Sequence, residues 1–336
     1  MSTILVVGLG SMGSRHANIL KEQYPKIKLI ALRHNECEKT DVKKFGLVDC
    51  VVTVTEALKF KPEAAIIAIP ATKHIDIALA LARAGVHLLI EKPISSSTEG
   101  VSTLIELCNN KKLLLMSAYN LRFEPSLIEF RNQIMQQKVG NILSIRAEVG
   151  QYLPSWRPEN DYSKGVSAQK RLGCGVLLEL SHEIDYLNWI FGDYKWVKSH
   201  IAKLSNLDID VEDSANIIFG MGSDKDKEIV VSLNMDFFRH DSTRECTVIG
   251  EKGTLRWNAK NGEVLWYAED SLEWIQIFSK KTERDYTYQQ EIEHFLSAIE
   301  KDQKLSISGE EGLKTIEVIE AIHQSHDSGT KVSLQT

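Results

Sequence analysis

Three stretches of this 336-residue chain hold residue types at spacings that could do chemistry. The first is Gly8-Leu9-Gly10-Ser11-Met12-Gly13, which follows the apolar run Ile4–Val7 and opens a helical pattern. In a strand–turn–helix of this kind the first glycine permits the tight turn and the second lets a pyrophosphate approach the backbone. The third allows close helix–strand packing. The N–H groups and partial positive charge of the helix N-terminus then favour phosphates. The plainer reading is a glycine-rich turn without a ligand. The order of strand, turn and helix argues for a dinucleotide site built on Gly8, Gly10, Ser11, Met12 and Gly13. An acid about 20 residues further on would bind a ribose 2′-hydroxyl. The second apolar run ends instead Leu32-Arg33-His34-Asn35, with no acid before Glu36. A cation there suits a 2′-phosphate, so Arg33 and His34 tip the expectation toward NADP over NAD. The competing reading of Arg33 is a solvated surface charge.

The second stretch is Glu91-Lys92-Pro93, at the carboxyl end of the run Val86–Ile90. Ligands of open α/β sheets bind outside such strand ends. Pro93 biases Lys92 toward an extended conformation, which could aim the ammonium into a cleft. A solvated lysine is the bland alternative. The third stretch is Glu179-Leu180-Ser181-His182-Glu183-Ile184-Asp185. On one continuous helix Glu179, His182 and Asp185 share a face. Histidine titrates near neutral pH and could exchange a proton with a substrate hydroxyl; a buried structural histidine among exposed acids is the alternative. No second His or Cys stands at ligand spacing here, so no metal is expected.

Taken together these residues resemble the Gfo/Idh/MocA oxidoreductases. The likeness is carried by Gly8–Leu20, by Ala68-Ile69-Pro70-Ala71-Thr72-Lys73-His74, by Ala84–Ser95 with its Glu-Lys-Pro, by Tyr119–Phe123 and by Gly173–Asp185. It covers essentially the whole chain. The resemblance implies an N-terminal Rossmann domain joined to a C-terminal α/β domain whose large open sheet forms subunit contacts, hence a homo-oligomer such as a dimer or tetramer. It implies NAD(P)-linked hydride transfer on a sugar, nucleotide-sugar or polyol. Ala68, Pro70, His74, Glu91 and Lys92 would then lie at the cofactor, with Lys92 catalytic. His182 and Asp185 match the family's HxxD motif and would be catalytic partners of Lys92. The family's acid usually stands four residues before that histidine, whereas Glu179 stands three before, which leaves the role of Glu179 open. Asn120 would contact the substrate, and the loop residues Tyr152, Trp156 and Arg157 could cover a sugar or nicotinamide face by stacking and hydrogen bonding, the alternative being a domain-crossing loop anchored by a buried Trp. Two other functions fit the same residues: a redox-neutral epimerase or eliminase with transient oxidation, and a non-catalytic NAD(P)-binding regulatory protein.

The elements that must position these groups follow from the apolar pattern. Runs at Ile4–Gly8, Lys28–Leu32, Ala64–Ile69, Val86–Ile90 and Leu113–Met116 alternate with helices predicted at Ser14–Gln23, His74–Ala84 and Thr98–Asn109. Continuous apolar strands between helices predict a doubly wound parallel sheet covered on both faces. After about Asn120 the pattern changes. Helices are predicted at Glu124–Gln137 and Gly175–Phe191, and a long strand at Ile142–Tyr152. Six strands then follow between Trp196 and Tyr267, before closing helices at Tyr286–Ile299 and Glu310–His323. Successive strands without helices between them predict a mostly antiparallel sheet. The expected domains are residues 1–121 and 122–336, closely packed for want of a Gly/Ser linker.

Composition agrees with this class and excludes others. A length of 336 residues favours about two domains. A net charge of −6 argues against a general affinity for nucleic-acid phosphates. No apolar run nears the roughly 18 residues of a membrane span. The N-terminus enters Ile4–Val7 without a basic, secretory-type lead, so the expected location is cytoplasmic. The five cysteines are scattered and read as reduced thiols.

Overall fold

The computed structural model describes residues 3–33, 35, 39–222 and 228–334, with side chains omitted for residues 39–41. His34 and the charge run Asp224–Lys227 lie outside the described residues. The chain forms two compact units. One comprises Met1–Tyr119 and Tyr288–Ile316, the other Asn120–Thr287 and Glu317–Thr336.

In chain order the elements of the first 119 residues are β1 (Thr3–Val7), α1 (Ser11–Gln23), β2 (Lys28–Leu32), α2 (Lys39–Phe45), β3 (Leu47–Val51), α3 (Val54–Lys59), β4 (Ala64–Ile67), α4 (His74–Arg83), β5 (His87–Glu91), α5 (Val101–Lys111) and β6 (Leu115–Ala118). Their strands make one six-stranded sheet in the order β3-β2-β1-β4-β5-β6. Every pairing in it is parallel. Each residue of β1, β4 and β6 is buried, which explains why these strands are apolar throughout rather than alternating. Strand order reverses between β1 and β4, so the turn leaving β1 opens at the point where doubly wound sheets bind ligands.

The remaining elements are α6 (Pro125–Met135), β7 (Ile142–Gly150), α7 (Val176–Glu179), α8 (His182–Phe191), β8 (Tyr194–Ala202), β9 (Ser214–Met221), β10 (Ile229–Asp236), β11 (Thr243–Gly250), β12 (Gly253–Asn258), β13 (Glu263–Ala268), β14 (Ile275–Ser279), α9 (Tyr286–Lys301), α10 (Gly309–Ser328) and β15 (Val332–Ser333). The strands form a nine-stranded sheet, β14-β13-β12-β11-β7-β10-β9-β8-β15. It is antiparallel except for the parallel pair β7–β10. One face buries Ile145, Ala147, Phe219, Val231, Leu233, Val248 and Trp257. The Trp257 indole N–H donates to Ser126 Oγ of α6 at 2.9 Å, so α6 covers this face.

Several expected elements shift, for local reasons. The first helix begins at Ser11 rather than Ser14, with Gly10 at its N-cap, so the glycine fingerprint itself runs into the helix. Helix α3 is short but carries a reciprocal cap between Thr53 and Glu56. The single helix expected over Gly175–Phe191 is two, because α7 ends at Leu180 (φ −99°, ψ 23°) and a new helix starts after Ser181. Strands β14 and β15 carry no expected strand pattern: one is exposed at three of its five positions and the other is only two residues long. Cys50 is disulfide-bonded, contrary to the expected reduced state, while Cys108, Cys174 and Cys246 are free and buried.

Candidate active site

The turn after β1 is shaped by backbone approach. Gly8 has φ +86°, where a Cβ would stand 2.6 Å from the Ala68 carbonyl oxygen. A Cβ on Gly13 would stand 1.9 Å from the Gly8 carbonyl oxygen, so only glycine lets α1 cross the strand end this closely. Gly10 differs: a Cβ there meets nothing within 4 Å. Its N-cap position carries no side-chain cap, and Gly10 and Ser11 are exposed while Met12 is half-buried. The uncapped N–H groups of a 13-residue helix over an open glycine fit the pyrophosphate of a dinucleotide. Ala68 lies against this turn, its N–H donating to Val7 O at 2.9 Å, and Pro70 is half-buried just beyond. Arg33 is half-buried at the end of β2, its N–H donating to Val51 O at 3.0 Å.

Lys92 is half-buried at the carboxyl end of β5, two strands across from the glycine turn. Its neighbours are held from inside the unit. His16, fully buried on α1, has Nε2 2.7 Å from Glu91 Oε1. Glu91 Oε2 accepts the Lys92 N–H at 3.2 Å. The peptide bond to Pro93 is cis. His74, 1% exposed, places Nδ1 3.1 Å from Pro93 O and Nε2 2.7 Å from Ile69 O. Burial pushes its pKa down, against the carbonyls and the Glu91 charge. Glu91 and His74, expected at the cofactor, thus spend their polar atoms on this unit's own backbone and on His16.

In the second unit His182 begins α8 and is 8% exposed. Asp185, one turn on, is 1% exposed and bound by both arms of Arg122, Nε to Oδ2 at 2.9 Å and Nη2 to Oδ1 at 2.7 Å. That bidentate pair ties Asp185 and the first turn of α8 to Arg122. Glu183, also buried, is paired with Arg244 at 2.7 Å. Glu179 ends α7, its Oε2 accepting from Cys174 Sγ at 3.3 Å. The break between α7 and α8 removes the continuous helical face that grouped Glu179 with His182. Asn120 is buried and donates to Thr287 Oγ1 at 2.7 Å. Tyr152 stacks on His240 with ring centroids 4.2 Å apart, and the Trp156 N–H donates to Gln151 O at 3.3 Å. Arg157 is exposed. Among the described residues, no group of three or more His, Cys, Asp or Glu is arranged to hold a metal ion, and no helix is long and apolar enough to cross a membrane.

Two family models match the chain: the oxidoreductase family's NAD-binding Rossmann fold over residues 2–119 and its C-terminal alpha/beta domain over residues 131–334. The chain belongs to the Gfo/Idh/MocA oxidoreductase family. Among relatives, levoglucosan dehydrogenase of Pseudarthrobacter phenanthrenivorans is 30% identical over 138 residues, 40% of this chain and about a third (35%) of that protein's length. The scyllo-inositol 2-dehydrogenase (NADP(+)) of Bacillus subtilis is 24% identical, over 98% of this chain and 95% of that protein. A solved levoglucosan dehydrogenase in complex with NADH shares the fold with a TM-score of 0.88 at 19% identity, covering 100% of this chain and 99% of that one.

His16 and Arg122 are the site-supporting residues that sequence reasoning passed over. His16 stands three residues after Gly13 on the same buried side of α1, a spacing that points it at the sheet. Arg122 carried no periodic signal, because its partner lies 63 positions away.

The contrast between the glycines is testable. Gly13→Ala is expected to lower stability by about 1–3 kcal/mol or more, as overpacking against backbone does, in a denaturant titration. Gly10→Ala should leave stability within about 1 kcal/mol while weakening dinucleotide binding, read by fluorescence titration. Equal losses of stability in the two would contradict this division of roles.

Proposed function

We propose that this chain is an NAD(P)-dependent dehydrogenase or reductase acting on a secondary hydroxyl or ketone of a sugar-like or polyol substrate. The observation that carries it is the placement, within one unit, of an open glycine-turned helix N-terminus at β1 and a half-buried lysine at the end of β5. The names of the levoglucosan and scyllo-inositol dehydrogenases support a sugar or polyol substrate. When bound, the nicotinamide supplies the hydride donor or acceptor. Gly8, Gly10, Ser11 and Met12 would hold its pyrophosphate. Lys92 donates a hydrogen bond to the reacting oxygen and stabilises the negative charge that develops there. In the second unit His182 is the residue whose type suits proton exchange with a hydroxyl. Asp185 supports this indirectly by fixing the turn that carries His182.

Lys92→Ala is expected to lower kcat roughly 10²–10³-fold on a sugar or inositol that the wild type turns over, with dinucleotide affinity largely kept. Normal turnover by that variant would overturn the assignment.

The cofactor preference we propose is NADP over NAD, resting on Arg33 where an acid would suit a ribose hydroxyl. Loss of a charge-assisted hydrogen bond is worth about 1.5–3 kcal/mol. Arg33→Ala should therefore weaken NADPH binding about tenfold or more and leave NADH nearly unchanged. Equal effects on both would reject the preference.

We further propose that copies of the chain associate through the open face of the nine-stranded sheet. Ile218 and Val230, on neighbouring strands of that face, are 44% and 42% exposed, and burying such side chains against a second copy is favourable. Light scattering should give a particle of twice or four times 37.9 kDa; a monomer at working concentration would reject it.

A further inference from the structure

Polar groups that no step above uses lie against both flanks of Lys92. His16 is wholly buried, with its Nε2 2.7 Å from Glu91 Oε1. A carboxylate accepts hydrogen bonds, so in the neutral ring Nε2 carries the proton and Nδ1 is the bare nitrogen. Nδ1 indeed has no partner. The second Glu91 oxygen accepts the main-chain N–H of Lys92 at 3.2 Å. A single side chain therefore runs from α1 to the backbone of the lysine. On the other flank, His74 lies against the carbonyl oxygens of Pro93 and Ile94, at 3.1 and 3.3 Å.

The surroundings keep this relay in place. Tyr288 meets the His16 ring edge-on at 6.1 Å, and the Arg15 guanidinium covers the Tyr288 ring at 4.6 Å. Glu291, also fully buried, is raised well above the usual carboxylate range, by burial first and by the Glu91 charge second. The Glu91 carboxylate itself is met by His16 Nε2 and by the Lys92 main-chain N–H. A buried charge is costly, and packing alone could be met by apolar side chains of similar size. Retaining a carboxylate here makes sense if its two oxygens fix geometry.

We propose that His16 and Glu91 are positioning residues that set the main chain of Lys92 from α1, the helix whose N-terminus faces the cofactor phosphates. This rests on the reading of Lys92 as the donor to the reacting oxygen. Displacing a reacting group by about 1 Å costs on the order of 10²-fold in rate. Glu91→Ala removes both bonds and frees the lysine to shift by that much. Glu91→Gln keeps them: the amide oxygen accepts from Lys92, and its N–H₂ donates to the other His16 tautomer.

The test is a double-mutant cycle, with Glu91→Ala, Glu91→Gln and His16→Phe made in the wild type and in Lys92→Ala. Dinucleotide affinity and melting temperature are followed for each. In the wild type, Glu91→Ala should lower kcat about 10²-fold with the substrate KM little changed, and Glu91→Gln should restore most of the rate. In Lys92→Ala, neither Glu91→Ala nor His16→Phe should lower kcat further. If Lys92→Ala is impaired but Glu91→Ala costs as much again in that background, the positioning role is rejected and the reading of Lys92 stands. If Lys92→Ala turns over normally, both fail together. Should Glu91→Ala not fold, His16→Phe carries the same cycle alone, and a full-sized further loss in Lys92→Ala rejects the proposal.

Discussion

The first unit depends on how closely a helix can pass over a strand end. Gly13 sits where any side chain would press into the Gly8 carbonyl, so α1 leaves the sheet almost in contact with it. That closeness has two consequences of different kinds. It leaves the helix N-terminus uncapped and open above Gly10, where unsatisfied N–H groups and the helix dipole favour an anion. It also brings His16, one turn later, down onto the carboxylate that ends β5. A bulkier residue at position 13 would lift the helix and lose both effects.

Charge is handled in the same manner in the second unit. Asp185 and Glu183 on α8 are buried and matched by Arg122 and Arg244. Pairs of this sort add little net stability over apolar packing, yet removing one partner is costly. Their effect is geometric: the first turn of α8, and with it His182, is held by fork-shaped hydrogen bonds that tolerate little displacement. The Arg122 guanidinium also lies 5.6 Å from the ring of Trp189, on the same helix, so one side chain organises two turns of α8.

The strands of both sheets were legible because their apolar period reflects what each face touches. Lys28–Leu32 and Ser214–Met221 have the bounds their sequence pattern suggests. Elements were lost where that period is weak. Helices α2 and α3 span only 7 and 6 residues, too short to display a stripe, and β14 is exposed over much of its length. The helix over Gly175–Phe191 reads as continuous because residues on both sides of Leu180–Ser181 are apolar at helical spacing. Its interruption there leaves the burial pattern nearly unchanged, so the pattern could not reveal it.

Side chains divide along the same line. The glycine fingerprint, the lysine at a strand end and the histidine of the second unit could be picked out by type and position alone, because turn geometry, strand ends and titration near neutrality are properties of single residues and their neighbours in sequence. Which of the flanking polar groups face outward is a different matter. Glu91, His74 and Asp185 stood out as candidates by type and position, and each also has a hydrogen-bond partner 75, 19 or 63 positions away. Such commitments form only once strands and helices are assembled, since a hydrogen bond needs its two atoms within about 3 Å and nothing in local spacing encodes that distance. Sequence alone therefore determined the kind of fold and the chemistry it could host; tertiary packing decided which polar residues remain available for that chemistry and which hold the others in place.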